Sequence, residues 1–158
     1  EKSEKKIILI GVSYALLDFI DNFSLKTKNL VIIETGGMKG RRKEITREEL
    51  HDKLKRGFNS NNIKSEYGMT ELLSQAYSNT NGIFKSPPWL KILVREINDP
   101  LYVKSHGKGA LNFIDLANVN SCSFIASDDI GEVYRDSSFK VLGRLSDSEI
   151  RGCNLMFN

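Results

Sequence analysis

Two continuous apolar runs in the first part of the chain constrain its fold most strongly. The first covers residues 6–12 (KIILIGV) and the second covers residues 29–35 (NLVIIET). Both have the length and composition of strands that are buried on two faces. Helical patterns follow them at 13–23 and 46–58. Because strands that alternate with helices form parallel pairs with crossover helices, this part of the chain predicts an α/β fold.

Residue types at the ends of these segments predict where the helices begin and end. Ser13 is a plausible cap for the first helix. Thr46 and Glu49 have the spacing of a capping box at the start of the second helix, and Gly57 predicts its end. A short strand and a third helix, over residues 69–78 (MTELLSQAYS), complete the alternating pattern.

The pattern changes beyond Pro87 and Pro88. Apolar and polar residues alternate there, with Gly, Asn and Asp between them, which is typical of antiparallel strands and hairpins. We therefore expect parallel βαβ units over residues 1–86 and a mostly antiparallel β subdomain over residues 87–158. Both ends of the chain fall within a pattern, so we expect a fragment of a larger protein.

Composition narrows the classes of partner and compartment. The 158 residues carry 23 basic and 20 acidic side chains, and this balance gives no reason to expect nucleic-acid binding. No apolar run is long enough for a membrane span, and no secretory signal is recognisable. Two cysteines are too few for a disulfide framework, and Cys122 is expected in the core. We expect a cytoplasmic protein.

Glycines and histidines give candidate sites with more than one interpretation. Gly36, Gly37 and Gly40 follow the second apolar run. They either form an ordinary turn or let the backbone approach a ligand at the carboxyl end of a strand. His51 lies in a helix of charged residues and is expected at the surface. His106 lies too far along the chain to share a histidine-ligated zinc site with it.

The stretch SEYGMTE, residues 65–71, combines groups that suit a nucleotide. Tyr67 offers a ring for stacking, Thr70 a hydroxyl for a phosphoryl oxygen, and Glu71 a carboxylate for a hard divalent cation. An ordinary helix start explains the same residues equally well. Likewise, the acidic pair in ASDDIG (126–131) either marks a turn or accepts ribose hydroxyls.

The order of these stretches resembles the motif series of the adenylate-forming superfamily. ETGG, YGMTE, DDIG and GRLSDSEIRG occur in that order. Longer stretches, such as SEYGMTELLSQAY, IDLANVNSCSFIASDDIG and VLGRLSDSEIRGCNLM, are similar to the acyl-protein synthetase (LuxE-like) family over nearly the whole chain. Phenylacetate-type CoA ligases, which share RG-x-N near the end, are the nearest alternative.

The resemblance implies roles for the residues that match the first motifs. Gly36 and Gly37 would lie along the adenine of ATP, with Tyr67 stacked on it. Thr70 would contact the α-phosphate as a catalytic residue. Glu71 would be catalytic as well, because it would help to hold Mg²⁺.

The later motifs imply further contacts. Asp129 would bind the ribose hydroxyls, with Asp128 as the alternative, and Arg144 would contact the ribose or a phosphate. In acyl-protein synthetases the acyl group passes to an enzyme cysteine near the C-terminus, and Cys153 lies in a matching place. The neighbouring Arg151 would favour its thiolate form.

The resemblance also implies an activity. The parent protein would be an ATP- and Mg²⁺-dependent ligase that converts a small fatty or aryl carboxylic acid into an acyl-adenylate and then a thioester. An acyl-CoA reductase-like protein is an implied partner. The family's upstream Ser/Thr/Gly phosphate loop is absent from the sequence, so we expect the chain alone to be inactive. A phenylacetate-type CoA ligase and a non-catalytic module that retains the fold are the alternatives.

Overall fold

A computed structural model of the chain describes residues 5–25, 27, 29–78 and 81–145. Its elements, in chain order, are β1 (Ile7–Val12), α1 (Ser13–Asn22), β2 (Leu30–Thr35), α2 (Arg47–Phe58), β3 (Ile63–Tyr67), β4 (Ala76–Ser78), β5 (Ile83–Lys85), β6 (Leu90–Arg95), β7 (Val103–Lys104), β8 (Gly107–Asp115), a 3₁₀ helix (Leu116–Asn118), β9 (Phe124–Val133) and β10 (Phe139–Arg144). The ten strands form one sheet in the order β1-β2-β3-β4-β5-β10-β9-β8-β6-β7. The fold is therefore mixed α/β, as predicted.

The first three strands are parallel, and the two helices connect them. Ile7 pairs with Leu30 between β1 and β2, and Ile32 pairs with Ile63 between β2 and β3. Parallel neighbours require a crossover connection, which α1 and α2 provide. The βαβ prediction for this part of the chain is confirmed.

The predicted cap of α2 is confirmed, whereas that of α1 is wrong. The backbone N–H of Glu49 donates to Thr46 Oγ1 at 3.1 Å. Val12 precedes α1 as its cap residue and Ser13 is the first helical residue. The Ser13 hydroxyl instead donates to the carboxylate of Glu34 at 3.0 Å. A buried acceptor on a neighbouring strand has therefore replaced the local capping bond.

The predicted end of α2 at Gly57 is also wrong. The helix continues to Phe58, and Asn59 ends it in the left-handed conformation with φ of 48°. Gly57 lies inside the helix, where an added Cβ would come within 2.6 Å of the Ile20 side chain on α1. Its small size therefore serves the close packing of the two helices rather than a helix end.

The third helix predicted over residues 69–78 does not form. The chain makes a turn in which Leu72 N–H donates to Met69 O at 3.1 Å, and then enters β4. Strand β4 runs antiparallel to β3, with Tyr67 opposite Ala76. Pairing with an open strand edge has outweighed the local helical pattern, because short segments take the structure that tertiary contacts stabilise.

All remaining strand pairs are antiparallel, as predicted for the second part of the chain. The change from parallel to antiparallel pairing lies between β3 and β4, ahead of Pro87. The ring of Tyr67 on β3 contacts that of Phe113 on β8, although four strands separate β3 from β8 in the sheet order. The sheet therefore curls so that distant strands face each other.

Two apolar cores correspond to these two pairing patterns. One lies between the helices and the parallel strands, and its buried members are Leu16, Leu17, Leu30, Ile32, Met38, Leu50, Leu54, Phe58 and Ile63. The other lies inside the curled antiparallel region, and its buried members are Tyr67, Leu72, Ala76, Phe84, Leu90, Ile92, Val94, Leu111, Phe113, Val133, Phe139 and Val141. The candidate site lies at the boundary, because Tyr67 ends the last parallel strand.

Strand β1 departs from its prediction as a buried strand. It forms one edge of the sheet, and Ile7, Ile8 and Ile10 are exposed. Strand β2, which has neighbours on both sides, is buried as predicted. Among the described residues, no helix has the length and apolar character needed to cross a membrane.

Candidate functional site

Three predicted site residues meet at one buried carboxylate. Tyr67 Oη donates to Asp129 Oδ2 at 2.6 Å, and Arg144 Nε lies 3.0 Å from Asp129 Oδ1. Asp129 and Arg144 are paired in the register of β9 and β10. The curl of the sheet brings Tyr67 to them across a sequence separation of 62 residues from Asp129. The structure therefore brings an aromatic hydroxyl, an acid and a guanidinium together.

One oxygen of this carboxylate has no hydrogen-bond donor. Asp129 is 2% exposed, yet Oδ1 accepts no hydrogen bond from the described residues, since the nearby Arg144 Nε is outside hydrogen-bonding geometry. Burial raises the pKa of Asp129, and the charges of Asp128 and Glu71 add to this, against the opposing effects of Tyr67 and Arg144. Buried polar atoms are nearly always hydrogen-bonded, so Oδ1 is unusual in having only the charge of Arg144 beside it.

The adjacent acid is placed differently. Asp128 is exposed, and its neighbour Asp129 faces the buried side of β9. Successive side chains of a strand point to opposite faces. Asp129, rather than Asp128, therefore lies beside Tyr67 and Arg144.

The ring of Tyr67 is a core residue in this structure. It is 5% exposed and contacts the rings of Phe84, Phe113 and Phe139 at centroid distances of 5.6 to 5.9 Å. Stacking on adenine needs an open ring face, so these phenylalanines would have to move apart. The adenine-stacking role of Tyr67 stays a prediction, whereas its hydroxyl directly orients the Asp129 carboxylate.

Thr70 and Glu71 lie together in the exposed turn that follows β3. Both side chains are exposed, and the turn replaces the helix that was predicted here. The Glu71 carboxylate lies close enough to Asp129 for its charge to contribute to the raised pKa of that residue. A hydroxyl and a carboxylate are therefore exposed to solvent in this turn.

The described residues contain no group of three or more His, Cys, Asp or Glu side chains arranged for a metal ion. Mg²⁺ that accompanies a nucleotide is commonly held by one or two carboxylates together with substrate phosphates and water. The exposed Glu71 is suited to such a role.

The glycine loop begins at the same edge of the sheet. Gly36 directly follows β2 with φ of +66°, a conformation that other residues rarely adopt, and Gly37 is buried. Because β2 and β3 are parallel and Glu34 pairs with Ser65, their carboxyl ends lie side by side. Gly36 and Gly37 therefore lie near Tyr67 at the end of β3. This is the edge where open α/β sheets bind ligands.

A buried polar cluster beneath this loop was missed by the sequence prediction. Glu34 is 3% exposed and accepts from the hydroxyl of Ser13 at 3.0 Å. His51 Nε2 lies 3.3 Å from Glu34 Oε1 and 3.1 Å from Ser65 Oγ, and Arg47 Nε lies 3.9 Å from Oε1. The expectation that His51 is a surface residue is wrong, because its helix presents it to the ends of β2 and β3.

This cluster is built for support rather than for nucleophilic catalysis. Burial alone would raise the pKa of Glu34, but hydrogen bonds from His51 and Ser65 and the charge of Arg47 hold it below its ordinary value. In a catalytic triad the acid and the nucleophile contact different nitrogens of the histidine. Here a single nitrogen, Nε2, is close to both, so the cluster holds the strand ends under the glycine loop.

Of the two cysteines, the structure describes only Cys122. Cys122 is exposed, with its Sγ donating to Phe124 O at 3.2 Å, so its predicted place in the core is wrong. Cys153 and Arg151 lie outside the described residues. The nucleophile role of Cys153 stays a prediction.

The sequence matches the family described as acyl-protein synthetase, LuxE, over residues 1–158. A comparison with curated proteins gives no match.

Solved structures of ligases share the fold. Coronafacic acid ligase from Pectobacterium brasiliense is 18% identical, with a TM-score of 0.62 over 87% of this chain and 29% of that protein. O-succinylbenzoate coenzyme A synthetase (MenE) from Bacillus subtilis, in complex with ATP and magnesium ion, is 16% identical, with a TM-score of 0.59 over 91% and 33%. ATP-bound MatB from Rhodopseudomonas palustris is 13% identical, with a TM-score of 0.64 over 91% and 32%. The chain spans about a third of their length.

Proposed function

Because the chain belongs to the LuxE acyl-protein synthetase family, we propose that it is the C-terminal part of an ATP-dependent ligase that activates carboxylic acids. A carboxylate oxygen of the acid attacks the α-phosphorus of ATP, the bond to pyrophosphate breaks, and an acyl-adenylate forms. A thiolate then attacks the acyl carbonyl, which gives a thioester and releases AMP. Small fatty or aryl acids are the proposed substrates.

The buried carboxylate of Asp129 is the observation that carries this proposal. Its Oδ1 has no hydrogen-bond donor among the described residues, while Tyr67 fixes its Oδ2. A carboxylate oxygen held in this way suits two adjacent ribose hydroxyls, which donate hydrogen bonds and carry no charge. Arg144 lies beside the same oxygen and is suited to contact the ribose or a phosphate.

The neighbouring segments supply the remaining proposed contacts. Gly36 and Gly37 would lie along the adenine, and Thr70 would donate to the α-phosphate, where negative charge increases during the attack. Glu71 would hold Mg²⁺, which supplies Lewis-acid stabilisation of phosphoryl oxygens when it is bound. These assignments are supported by the shared sheet edge of the two loops and by the exposure of the turn.

Nucleotide binding by the full-length protein tests the proposal. We expect AMP to bind in isothermal titration calorimetry and Asp129→Asn to weaken it by about tenfold or more, because a bond to a charged acceptor is lost. Asp128→Asn is the matched control, since this adjacent acid is exposed, and it should leave AMP affinity unchanged. Equal AMP affinity in the wild type and Asp129→Asn would contradict the proposal.

The 158-residue chain by itself should bind nucleotide without activating an acid. Related ligase structures are about three times as long, so most of their chain has no counterpart here. We expect ATP–pyrophosphate exchange with the full-length protein and an acid, and none with the 158 residues alone. Exchange by the isolated chain would contradict this part of the proposal.

Cys153 is the proposed acyl acceptor, and an acyl-CoA reductase-like protein is the proposed partner that receives the acyl group. Mass spectrometry of the full-length protein, incubated with ATP and a mixture of acids, should show an acyl adduct on the peptide that contains Cys153. Cys153→Ser should abolish the adduct, whereas Cys122→Ser should retain it. Full transfer to free CoA by Cys153→Ser would instead favour a phenylacetate-type CoA ligase.

A further inference from the structure

A second buried acid, Asp115, accepts hydrogen bonds from the C-terminal end of the turn that carries Thr70 and Glu71. Asp115 is fully buried at the end of β8. Its Oδ2 accepts from the backbone N–H groups of Leu73 and Ser74, both at 2.9 Å. Its Oδ1 accepts from Ser74 Oγ at 2.6 Å and from Ala117 N–H at 3.1 Å. Both oxygens are therefore saturated with donors.

Asn118 forms a hydrogen bond with the middle of the same turn. Its Nδ2 donates to the carbonyl oxygen of Glu71 and to that of Cys122, both at 2.9 Å. The side chain is buried and lies in the 3₁₀ helix that Asp115 caps. The backbone of Glu71 is thus tied to the loop that joins β8 to β9, although 47 residues separate Glu71 from Asn118.

Asp115 and its partner Ser74 are themselves hydrogen-bonded to residues next to the strands of the sheet. The backbone N–H of Asp115 donates to Ser123 O at 2.8 Å, and Trp89 Nε1 donates to Ser74 Oγ at 3.0 Å. Burial alone would raise the pKa of Asp115, but its hydrogen bonds from Ser74, Ala117 and Leu73 hold the pKa below the ordinary value. The carboxylate is therefore a charged and rigid anchor.

We propose that Asp115 and Asn118 are positioning residues that hold the Thr70–Glu71 turn where it contacts the metal-bound phosphates of ATP. This rests on the proposed function. Residues that orient a metal ligand, without touching the metal, commonly affect metal affinity by about 10- to 100-fold. The exposed Thr70 and Glu71 side chains reach the nucleotide, and the buried partners fix the backbone behind them.

The test compares Mg²⁺-dependent and Mg²⁺-independent nucleotide binding in the full-length protein. We expect Asn118→Ala to raise the Mg²⁺ concentration needed for half-maximal ATP binding by about tenfold. Adenosine affinity without Mg²⁺, which depends on the ribose contact of Asp129 and involves no phosphate, should be unchanged. Asn120→Ala is the matched control, because this residue is exposed in the same loop. Asp115→Asn should have the larger effect wherever it remains folded.

Each result has a defined meaning. A folded Asn118→Ala protein with the wild-type Mg²⁺ requirement overturns the positioning role, while AMP binding that depends on Asp129 keeps the proposed function. Equal loss of adenosine and Mg²⁺–ATP binding in Asn118→Ala also overturns it, because a general structural defect explains both. A wild-type protein that binds neither nucleotide overturns the proposed function and the inference together.

Discussion

Two buried aspartates contact opposite ends of the segment 67–74, and they differ in how many hydrogen bonds their carboxylates accept. Asp129 contacts Tyr67 at the start of the segment, and Asp115 contacts Ser74 at its end. They are 2% and 0% exposed, respectively. Asp115 accepts four hydrogen bonds, whereas one oxygen of Asp129 accepts none from the described residues.

The two pKa shifts express this difference. Burial acts to raise the pKa of both carboxyls, and it prevails at Asp129 but not at Asp115, where the hydrogen bonds outweigh it. A buried carboxylate that is fully hydrogen-bonded stabilises the fold in its charged form. One that keeps an oxygen without a donated hydrogen bond is held at a cost to stability, which is typical of binding sites. Burial alone therefore does not distinguish an anchor from a ligand-binding acid.

The largest effect is expected from Asp115→Asn. The amide cannot accept from all four donors, and we expect a loss of about 3 kcal/mol in the free energy of unfolding. Urea denaturation at pH 7 measures it as a lower midpoint with an unchanged slope. Asp99→Asn is the control, because the Asp99 carboxylate accepts a bond from Leu101 N–H in an exposed turn. If Asp115→Asn and Asp99→Asn lost equally little free energy of unfolding, the anchor role of Asp115 would be contradicted.

The parts of the fold that sequence patterns predicted are those set by local chemistry. Strand β2 is a continuous apolar run, and α2 has its cap at Thr46 with an apolar stripe that faces the core. The order of the motifs also predicted that Asp129 lies near Tyr67. Local propensity failed for residues 69–78, where pairing with β3 decided the structure.

The supporting residues of the site could not be predicted in the same way. Asp115 carries one readable signal, since an acid before a helical turn is a common cap, and it does cap the 3₁₀ helix. Its donors at Leu73 and Ser74 are 42 and 41 residues away, and no spacing rule connects them. His51 was missed for the same reason, because its partners Glu34 and Ser65 become neighbours only when β2 and β3 pair.

Glu34 is a third buried carboxylate, and we expect its substitution to have a stability effect of intermediate size. Its pKa is lowered, so its charged form stabilises the fold above the ordinary glutamate pKa, and this contribution is lost as pH falls through the lowered value. We expect Glu34→Gln to lose about 2 kcal/mol at pH 7 and to approach the wild type in strong acid. Urea midpoints across this pH range measure it. Glu44→Gln, at an exposed loop position, should show no such trend.

The smallest change in stability is expected from Asp129→Asn, and its pH dependence should have the opposite sign. Because the folded-state pKa of Asp129 is raised, the unfolded chain releases this proton at lower pH, and the wild type loses stability as pH rises through that interval. The amide does not titrate, and it avoids the cost of burying a charge while losing the attraction to Arg144. At pH 7 the variant should therefore unfold within about 1 kcal/mol of the wild type.

As pH falls from neutral through the raised pKa of Asp129 to the ordinary aspartate value, the wild type should gain stability relative to Asp129→Asn. As pH falls further, through the lowered pKa of Asp115, the wild type should lose its advantage over Asp115→Asn. Urea midpoints of the three proteins at neutral and acidic pH measure both trends in one experiment. A loss at pH 7 as large as that of Asp115→Asn would mean that Asp129 is also a structural anchor. The distinction between the two aspartates, and the ribose-binding role that depends on it, would then fail.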